Sequence, residues 1–393
     1  MSSPKRRRVG PCHGTTTTTA DSQPPFIPAD LLVEILARSD TRTIVRGAAT
    51  FKPIRRAILG PAFHRLLAPR AGGFDRALLL GASCVFQEGR PRDIFFQEQR
   101  RPFSFETFDS ELLSFYEPMV SRGCLIVIHR RGQISAEVRV VNSLTGHVTR
   151  VKRTGSAAAA IYPRTLLAVG DAGPSFQLLV ADKNLVTSIF SSEHGKWGDK
   201  VQTKLQPNFI RTIPNRLSPP LVLGATVHWL CKEKGIIALD VSTARAMVIE
   251  LPPKCFSQVS GPKGMDKGLL ASSADGRLSL LVAEPRVVSM WTLSAAAASW
   301  SRQVVIHRQA IIGREAPGCV VRFLPFGERS GTVMLQMEGV GLVEIDLGSR
   351  EARVLSDKFK NIGSPYYSKL ELCLHETDFL TLVGSITKNM KRF

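Results

Sequence analysis

The chain has 393 residues, of which 44% are hydrophobic and 22% are charged. These fractions are typical of globular proteins, and the length predicts one small and one large domain, or two to three domains in all. No apolar run of about eighteen residues or more occurs, so the sequence predicts no membrane span, and no apolar run follows the basic N-terminus, which argues against a secretory signal. We therefore expect a nuclear or cytoplasmic protein.

Positive charge dominates the composition, with 52 Lys and Arg against 33 Asp and Glu and a formal net charge of +19. Such a balance can indicate an anionic partner, which would be nucleic acid, a membrane surface or an acidic protein. Because the excess is spread along the chain, we favour a solvated surface and keep nucleic acid as the less favoured partner. The seven cysteines never form a CxxC pair, so neither a disulfide framework nor a zinc site is predicted.

Residues 1–25 form a predicted disordered tail, because they combine a basic cluster and a threonine run with almost no apolar residues. The cluster consists of Lys5, Arg6, Arg7 and Arg8, and it matches a short basic nuclear-import signal. Such clusters also occur in solvated tails, so both interpretations remain open.

A small helical module is predicted over residues 26–68. Leu31 and Ile35 are four residues apart, as are Leu32 and Leu36, which places an apolar stripe on a helix that starts near Pro28. Three further short helices are predicted at Thr41–Ala49, Phe51–Leu59 and Pro61–Leu67. A module of this size is marginal by itself, so we expect it to complete its burial against a partner or a neighbouring domain.

From residue 76 to residue 393 the sequence predicts an all-β domain, because short apolar runs of strand length alternate with turn residues. An internal repeat pairs Gly235–Asp240 with Gly341–Asp346. Equivalent positions recur at steps of 48, 50, 53 and 53 residues, at Asn142, Phe190, Asp240, Leu293 and Asp346. A period near fifty built from short strands is typical of propeller blades, and we predict about six or seven blades rather than a pair of β-sandwiches.

Residues 26–68 resemble an F-box. The family begins with an apolar residue and a proline, followed by Leu-Leu-x-Glu-Ile-Leu, and the matching residues are Ile27, Pro28, Leu31, Leu32, Glu34, Ile35 and Leu36. The next family helix is matched by Ile44, Val45, Arg46 and Ala48. The third helix departs from the family, with Phe51 and Ile54 in the usual Cys and Trp positions and a proline at Pro53.

This resemblance implies a partner, the small acidic Skp-type adaptor of cullin ligases. Its contact residues would be Ile27, Pro28, Leu31, Leu32, Glu34, Ile35, Leu36, Ile44 and Val45. The segment from Arg38 to Arg70 has eight Arg or Lys against one Asp, which would favour an acidic surface. The region behind it is similar to the β-propeller-type F-box-associated domains of large plant families, through His228–Leu230 and Ile237–Asp240.

The sequence thus predicts an α+β multidomain protein: a small all-α F-box-like module followed by an all-β propeller-like domain. Together the resemblances imply a substrate-recognition adaptor of an SCF-type cullin E3 ubiquitin ligase, with a target protein that the sequence does not identify. Catalytic, metal and cofactor motifs such as GxSxG, HExxH and the phosphate loop are absent from the sequence, so we expect a non-catalytic subunit without a cofactor. The alternative is a nuclear basic β-propeller that acts as a scaffold or binds nucleic acid without a ligase role.

Overall fold

The structure is a computed structural model that describes most of the β domain and the helices before it. The described residues are 27–50, 52–67, 73–88, 94–96, 116–130, 138–143, 146–151, 165–169, 175–182, 184–205, 219–231, 235–256, 268–294, 299–313, 319–357, 359–360 and 368–377. The predicted tail over residues 1–25, with Lys5, Arg6, Arg7 and Arg8, lies outside these ranges.

Four short helices precede the β domain. They are α1 (Ala29–Arg38), α2 (Thr41–Thr50), α3 (Lys52–Ile58) and α4 (Pro61–Leu67). Pro53 lies in the first turn of α3, as its missing N–H requires. A 3-10 turn at Arg76–Leu78 then leads into the strands, and a fifth short helix, α5 (Arg308–Ile312), lies late in the β domain. Within the described ranges, none of the helices is long and apolar enough to cross a membrane.

The β domain is built from short strands, most of them two to eight residues long. In the described part of the chain they are β1 (Leu79–Glu88), β2 (Ile94–Phe96), β3 (Tyr116–Arg122), β4 (Leu125–Arg130), β5 (Val138–Asn142), β6 (Val148–Val151), β7 (Thr165–Val169), β8 (Phe176–Ala181), β9 (Val186–Ser191), β10 (Lys196–Trp197), β11 (Val201–Gln202), β12 (Lys204–Leu205), β13 (Leu221–Leu223), β14 (Thr226–Cys231), β15 (Gly235–Asp240), β16 (Arg245–Ile249), β17 (Gly268–Ser272), β18 (Leu278–Ala283), β19 (Val287–Leu293), β20 (Trp300–His307), β21 (Val321–Phe326), β22 (Thr332–Met337), β23 (Gly341–Asp346), β24 (Glu351–Ser356) and β25 (Ser368–Glu376).

Five of the sheets are antiparallel meanders of the kind that form propeller blades. We number them blade 1 (β3–β6), blade 2 (β7–β11), blade 3 (β12–β16), blade 4 (β17–β20) and blade 5 (β21–β24). In blade 3 the short strand β12 adds in parallel to the outer strand β16. A sixth, three-stranded sheet has the order β2-β1-β25, and we call it the closing sheet because it joins both ends of the β domain.

The six sheets form a ring, because an apolar cluster lies between each sheet and the next. Clusters join blades 1 and 2, 2 and 3, 3 and 4, and 4 and 5. Two more join the closing sheet to blade 1, through Tyr116, Ile126 and Cys373, and to blade 5, through Leu79 and Leu342. Burial of apolar surface between neighbouring sheets is therefore the main stabilising interaction of the ring.

The internal repeat of the sequence corresponds to the third strand of each blade. Asn142, Asp240, Leu293 and Asp346 are the last residues of β5, β15, β19 and β23, and Phe190 is next to last in β9. The propeller arrangement is thus confirmed, but the described residues contain five complete blades rather than six or seven. The prediction divided the length of the β domain by the period, whereas the closing sheet takes strands from both ends of the domain and has three strands among the described residues.

The blade turns explain why the repeat ends on an aspartate in two blades. The carboxylate of Asp240 accepts hydrogen bonds from the backbone N–H groups of Ser242 and Thr243, at 2.8 and 3.0 Å. Hydrogen bonds from Ser242 and Thr243 hold the pKa of Asp240 below its usual value. Asp346 makes the same contact with the N–H of Gly348 at 2.8 Å, so both aspartates are turn residues.

The chain enters the ring between the closing sheet and blade 5. The N–H of Asp75 donates to the carbonyl of Arg329 at 3.0 Å. Arg76 and Arg353 both bind the carboxylate of Glu344, at 2.8 and 2.7 Å, and this carboxylate is 2% exposed. Leu80 of β1 packs against the core of the helices. Packing of Leu80 therefore attaches the helical module to the ring, while the ion pairs of Glu344 hold the turn at Arg76–Leu78 that follows the module.

Candidate partner-binding face of the helical module

Local capping separates α1 from α2. Pro28 precedes α1 with φ −54°, and its carbonyl accepts the N–H of Leu32 at 3.1 Å. The hydroxyl of Ser39 donates to the carbonyl of Ile35 at 2.8 Å, which satisfies a free carbonyl at the end of α1. Asp40 then accepts the N–H of Thr43 at 2.9 Å, as an N-cap residue of α2 does. The sequence Ser39-Asp40 therefore ends one helix and begins the next.

The four helices share a small core of their own. Its buried residues are Leu36, Ala37, Ile44, Ala48, Ile54, Ile58 and Phe63. Gly47 of α2 allows close approach of α1, because a Cβ at this position would lie 3.1 Å from the methyl carbons of Leu36. The guanidinium of Arg55 donates to the carbonyl of Ala48 at 2.7 Å and so binds the end of α2 to α3. The module thus has internal packing that does not depend on the exposed side of α1.

An apolar stripe remains exposed on α1. Ile27, Leu31 and Ile35 follow one another at intervals of four residues, and they are 46%, 51% and 53% exposed. Two more large apolar side chains, Leu59 and Leu66, are 41% and 47% exposed at the ends of α3 and α4. Residues four apart lie on one face of a helix, so Leu31 and Ile35 share one face of α1, and Ile27 is exposed just before the helix begins. We call the three side chains the apolar row, which is open to a partner.

The structure divides the predicted contact residues into two groups. Five of them are exposed: Ile27, Pro28, Leu31, Glu34 and Ile35. Leu32 is half-buried and packs against the module core. Leu36 and Ile44 are 8% and 2% exposed, so their side chains belong to that core and are not available to a partner. The side chain of Val45 lies outside the described residues.

Leu59 and Leu66 were missed by the sequence reasoning. Leu59 directly follows the buried Ile58, and Leu66 lies three residues after the buried Phe63. Their exposure can be read only after the inward face is known, because apolar residues occupy both sides of these short helices.

The exposed face of the module is basic. Arg38, Arg46, Lys52, Arg56 and Arg65 all expose their side chains. Arg38 pairs with Glu34 at 2.7 Å, but both partners are exposed, so the pair contributes about 0.3–0.5 kcal/mol at most. The other four cations make no ion pair with any described residue. The apolar row therefore lies on a positively charged module.

The described part of the propeller has its most perturbed titratable groups in the closing sheet. Burial lowers the pKa of His375 to about 4, and its Nε2 lies 2.7 Å from the hydroxyl of Ser83. Burial raises the pKa of Glu376, whose carboxylate accepts the N–H and hydroxyl of Ser330 at 2.8 and 2.6 Å. Ser83 is 0% exposed, so its hydroxyl is not accessible to a substrate. Among the described residues, no group of three His, Cys, Asp or Glu side chains could hold a metal ion.

One known family matches the propeller, and the match does not include helices α1 to α4. The family described as Domain of unknown function (DUF7595) matches residues 81–393. The chain belongs to this family. The match begins within β1 and includes all five blades, while α1 to α4 lie before it. No curated protein matches the DUF7595 chain significantly.

Solved structures resemble this DUF7595 member only distantly. A puromycin-hydrolyzing peptidase from Mycobacterium tuberculosis is 10% identical with a TM-score of 0.36, over 61% of this chain and 38% of that chain. AztD from Citrobacter koseri is 13% identical with a TM-score of 0.30, over 72% and 70%. A chain of the nidogen/laminin complex is 8% identical with a TM-score of 0.37, over 76% and 100%. The chain thus spans well under half of the peptidase, and likeness at this level carries no argument about function.

Proposed function

We propose that this protein is the substrate receptor of a cullin-type ubiquitin ligase, in which the helical module binds a Skp-type adaptor and the propeller holds a target protein. The observation that carries the proposal is the exposed apolar row of Ile27, Leu31 and Ile35 on a module that already has a core. A monomeric surface rarely keeps such a row without a partner, and an amphipathic helix binds a groove through anchors at this spacing.

Burial of the row would supply useful binding energy. Each of the three side chains is about half exposed, so covering it in a groove contributes on the order of 1 kcal/mol. Leu59 and Leu66 would add similar amounts if the same partner reaches them. A few such anchors on a preformed helix are enough for a specific contact, because little conformational entropy is lost on binding.

Charge supports an acidic partner for the helical module. Arg46, Lys52, Arg56 and Arg65 are exposed and have no ion-pair partner among the described residues. An acidic surface would accelerate association and orient the module, with a smaller effect on the equilibrium affinity. The small acidic adaptor that the F-box resemblance implies has this property.

The proposal assigns no bond-breaking chemistry to this chain. The reactive thioester would belong to another subunit, and the receptor would act by holding a target lysine near it. Such proximity converts an encounter between two molecules into a reaction within one complex, which accounts for a large part of the rate of many reactions.

The test is co-expression of the full chain with a Skp-type adaptor, followed by size-exclusion chromatography. We expect wild type and adaptor to elute together, and Leu31→Asp/Ile35→Asp to elute apart from the adaptor. A matched control, Met247→Asp/Val354→Asp, changes two propeller side chains that are 50% and 46% exposed and should still elute with the adaptor. Equal elution of both double variants with the adaptor, or separate elution of wild type at micromolar concentration, would rule the proposal out.

Leu36 is unsuitable as a probe of binding because it is buried. Leu36→Ala should destabilise the module by about 2–5 kcal/mol, so any loss of complex would report unfolding rather than a lost contact. Circular dichroism of the Leu31→Asp/Ile35→Asp variant must therefore match wild type for its loss of binding to count.

A further inference from the structure

A short segment crosses from blade 2 to blade 3 on the outside of the ring, and we call residues 196–205 the inter-blade strap. Its first part, β10 and β11, is the outer edge of blade 2 and pairs antiparallel with the third strand β9, through Trp197 opposite Phe190 and Val201 opposite Thr187. Its last part, β12, pairs in parallel with β16 of the next blade, with Lys204 beside Arg245. The strap is therefore an extended edge that two blades share.

The strap is held in place by specific contacts. The ring of Trp197 packs edge-on against Phe190 with centroids 5.5 Å apart. The N–H and hydroxyl of Thr203, a residue that is 3% exposed, donate to the carbonyl of Leu185 at 3.3 and 2.5 Å. The N–H of Lys204 donates to the carbonyl of Ala244 at 2.9 Å. These contacts keep the backbone extended before any partner arrives, which lowers the entropy lost on binding.

The two carbonyls that hold the strap come from unusual backbone positions. Leu185 and Ala244 have φ values of 57° and 53°, a left-handed conformation that residues other than glycine rarely adopt. They are two of four such non-glycine residues in the part of the chain that the structure describes. Arg350 has the same conformation at the equivalent turn position of blade 5, four residues after Asp346 as Ala244 is four residues after Asp240. At Ala244 the conformation therefore belongs to the blade turn, which presents its carbonyl to the strap.

The strap carries cations that nothing in the described structure neutralises. Lys196, Lys200 and Lys204 are exposed, as is Arg245 beside Lys204, and none of the four forms an ion pair with a residue that the structure describes. Asp199 is the one acidic residue within the strap. Two cations in register on neighbouring strands repel each other, so this arrangement costs stability unless an anion binds there.

Apolar side chains lie among these cations. Val201 of the strap is 45% exposed, and Met247 of β16, two residues beyond Arg245, is 50% exposed. Val354 of blade 5 is the third large apolar side chain that is exposed in the described part of the propeller. Val201 directly follows Lys200 and Met247 lies two residues beyond Arg245, so two of these three are next to the unpaired cations along the chain.

We propose that the inter-blade strap, with Arg245 and Met247 of β16, is a docking surface for an extended acidic polypeptide segment that also carries aliphatic side chains. The cations would bind carboxylates, and Val201 and Met247 would contact the aliphatic groups between them. An extended chain from Lys196 to Lys204 spans about 25 Å, which suits a segment of about eight residues. The surface is separate from α1, so this proposal stands whether or not the helices bind an adaptor.

The side chains favour a polypeptide over nucleic acid. Sites for single-stranded nucleic acid combine cations with aromatic rings on which bases stack. The exposed apolar groups here are aliphatic, and the strap's aromatic residue, Trp197, is half-buried against Phe190. Aliphatic groups between cations are better matched by an acidic peptide that contains leucine or valine.

The test measures fluorescence anisotropy of the full chain with two labelled peptides of about ten residues, one alternating Glu and Leu and one alternating Glu and Ser. We expect Lys200→Glu/Lys204→Glu/Arg245→Glu to weaken binding of both peptides by at least about tenfold. A matched triple variant, Arg286→Glu/Arg329→Glu/Lys360→Glu, changes net charge equally at other exposed sites and should bind both peptides within about twofold of wild type.

A second variant tests the apolar contribution without changing charge. Val201→Ser/Met247→Ser should weaken the Glu/Leu peptide several-fold and leave the Glu/Ser peptide unchanged, because only the former has aliphatic groups to lose. Equal weakening by both charge variants would show a general charge effect and overturn the proposal, as would absence of Glu/Leu peptide binding by wild type at low salt. Loss of single-stranded DNA binding in the strap variant, with peptide binding intact, would instead identify a nucleic-acid surface.

Discussion

Acidification should destabilise the propeller through His375, because the closing sheet holds its imidazole neutral. Burial lowers the pKa of His375 from 6.5 to about 4, while exposure in the unfolded chain restores a value near 6.5. The folded state therefore favours the neutral ring. The stability that this provides is complete above about pH 6.5 and is lost as the pH falls from there towards about 4.

The magnitude follows from the two pKa values. Each unit of difference corresponds to about 1.4 kcal/mol, so His375 should remove about 2 kcal/mol between about pH 7.5 and pH 5, and about 3 kcal/mol by pH 4. Glu376 acts in the opposite direction, since burial raises its pKa and the fold favours its protonated form as the pH falls. The effect of His375 must therefore be isolated as a difference between two variants.

The assay is urea unfolding followed by tryptophan fluorescence, which reports the ring because all four tryptophans lie in blades 2, 3 and 4. His375→Gln keeps a polar group near Ser83 but removes the titration. The stability advantage of wild type over this variant should shrink by about 2 kcal/mol from about pH 7.5 to pH 5. His194→Gln, which changes an exposed ring, is the matched substitution control. Parallel curves for wild type and His375→Gln would refute the reasoning.

Two further substitutions test the attachment of the module and the blade turns. Glu344→Gln removes the buried charge that Arg76 and Arg353 share, and because both guanidinium groups remain partly solvated we expect a loss of about 1–2 kcal/mol in urea unfolding, together with faster proteolysis between α4 and β1. Unchanged proteolysis would show that packing alone holds the module. Gly341→Ala should be far more damaging than Gly339→Ala, although both residues have positive φ, because a Cβ at 341 would lie 2.1 Å from the carbonyl of Ser356 and one at 339 meets open space. Gly339→Ala should cost about 1 kcal/mol of unfolding free energy. Equal urea unfolding midpoints for Gly341→Ala and Gly339→Ala would contradict this packing.

The sequence by itself determined the parts of the structure that depend on local pattern. The end of each blade's third strand could be located from a repeat of turn residues and apolar runs, because the strands of every blade pack through equivalent local contacts. Pro28, Ser39 and Asp40 could be assigned to helix ends because capping depends on a few neighbouring residues. The helices α1 to α4 follow from the same local rules.

Only the tertiary structure decided which apolar row of α1 is exposed. Leu31 and Ile35 form one row of residues four apart, and Leu32 and Leu36 form another about 100° around the helix. Both rows have the same period and hydrophobicity, so the sequence grouped them. Packing of Leu36 against Gly47 turns one row inward and leaves the other open, which changes the set of side chains that a partner can contact.

Ring closure and the inter-blade strap likewise depend on contacts between residues far apart in sequence. The closing sheet pairs Leu79 with Glu376, so no repeat within one segment could reveal it, and the number of complete blades was overestimated. The strap pairs Lys204 with Arg245, which is distant in sequence, within blade 3, and its cations appear in the sequence only as scattered lysines. Local periodicity therefore predicted the blades, whereas long-range pairing decided how the ring closes and which charges become neighbours.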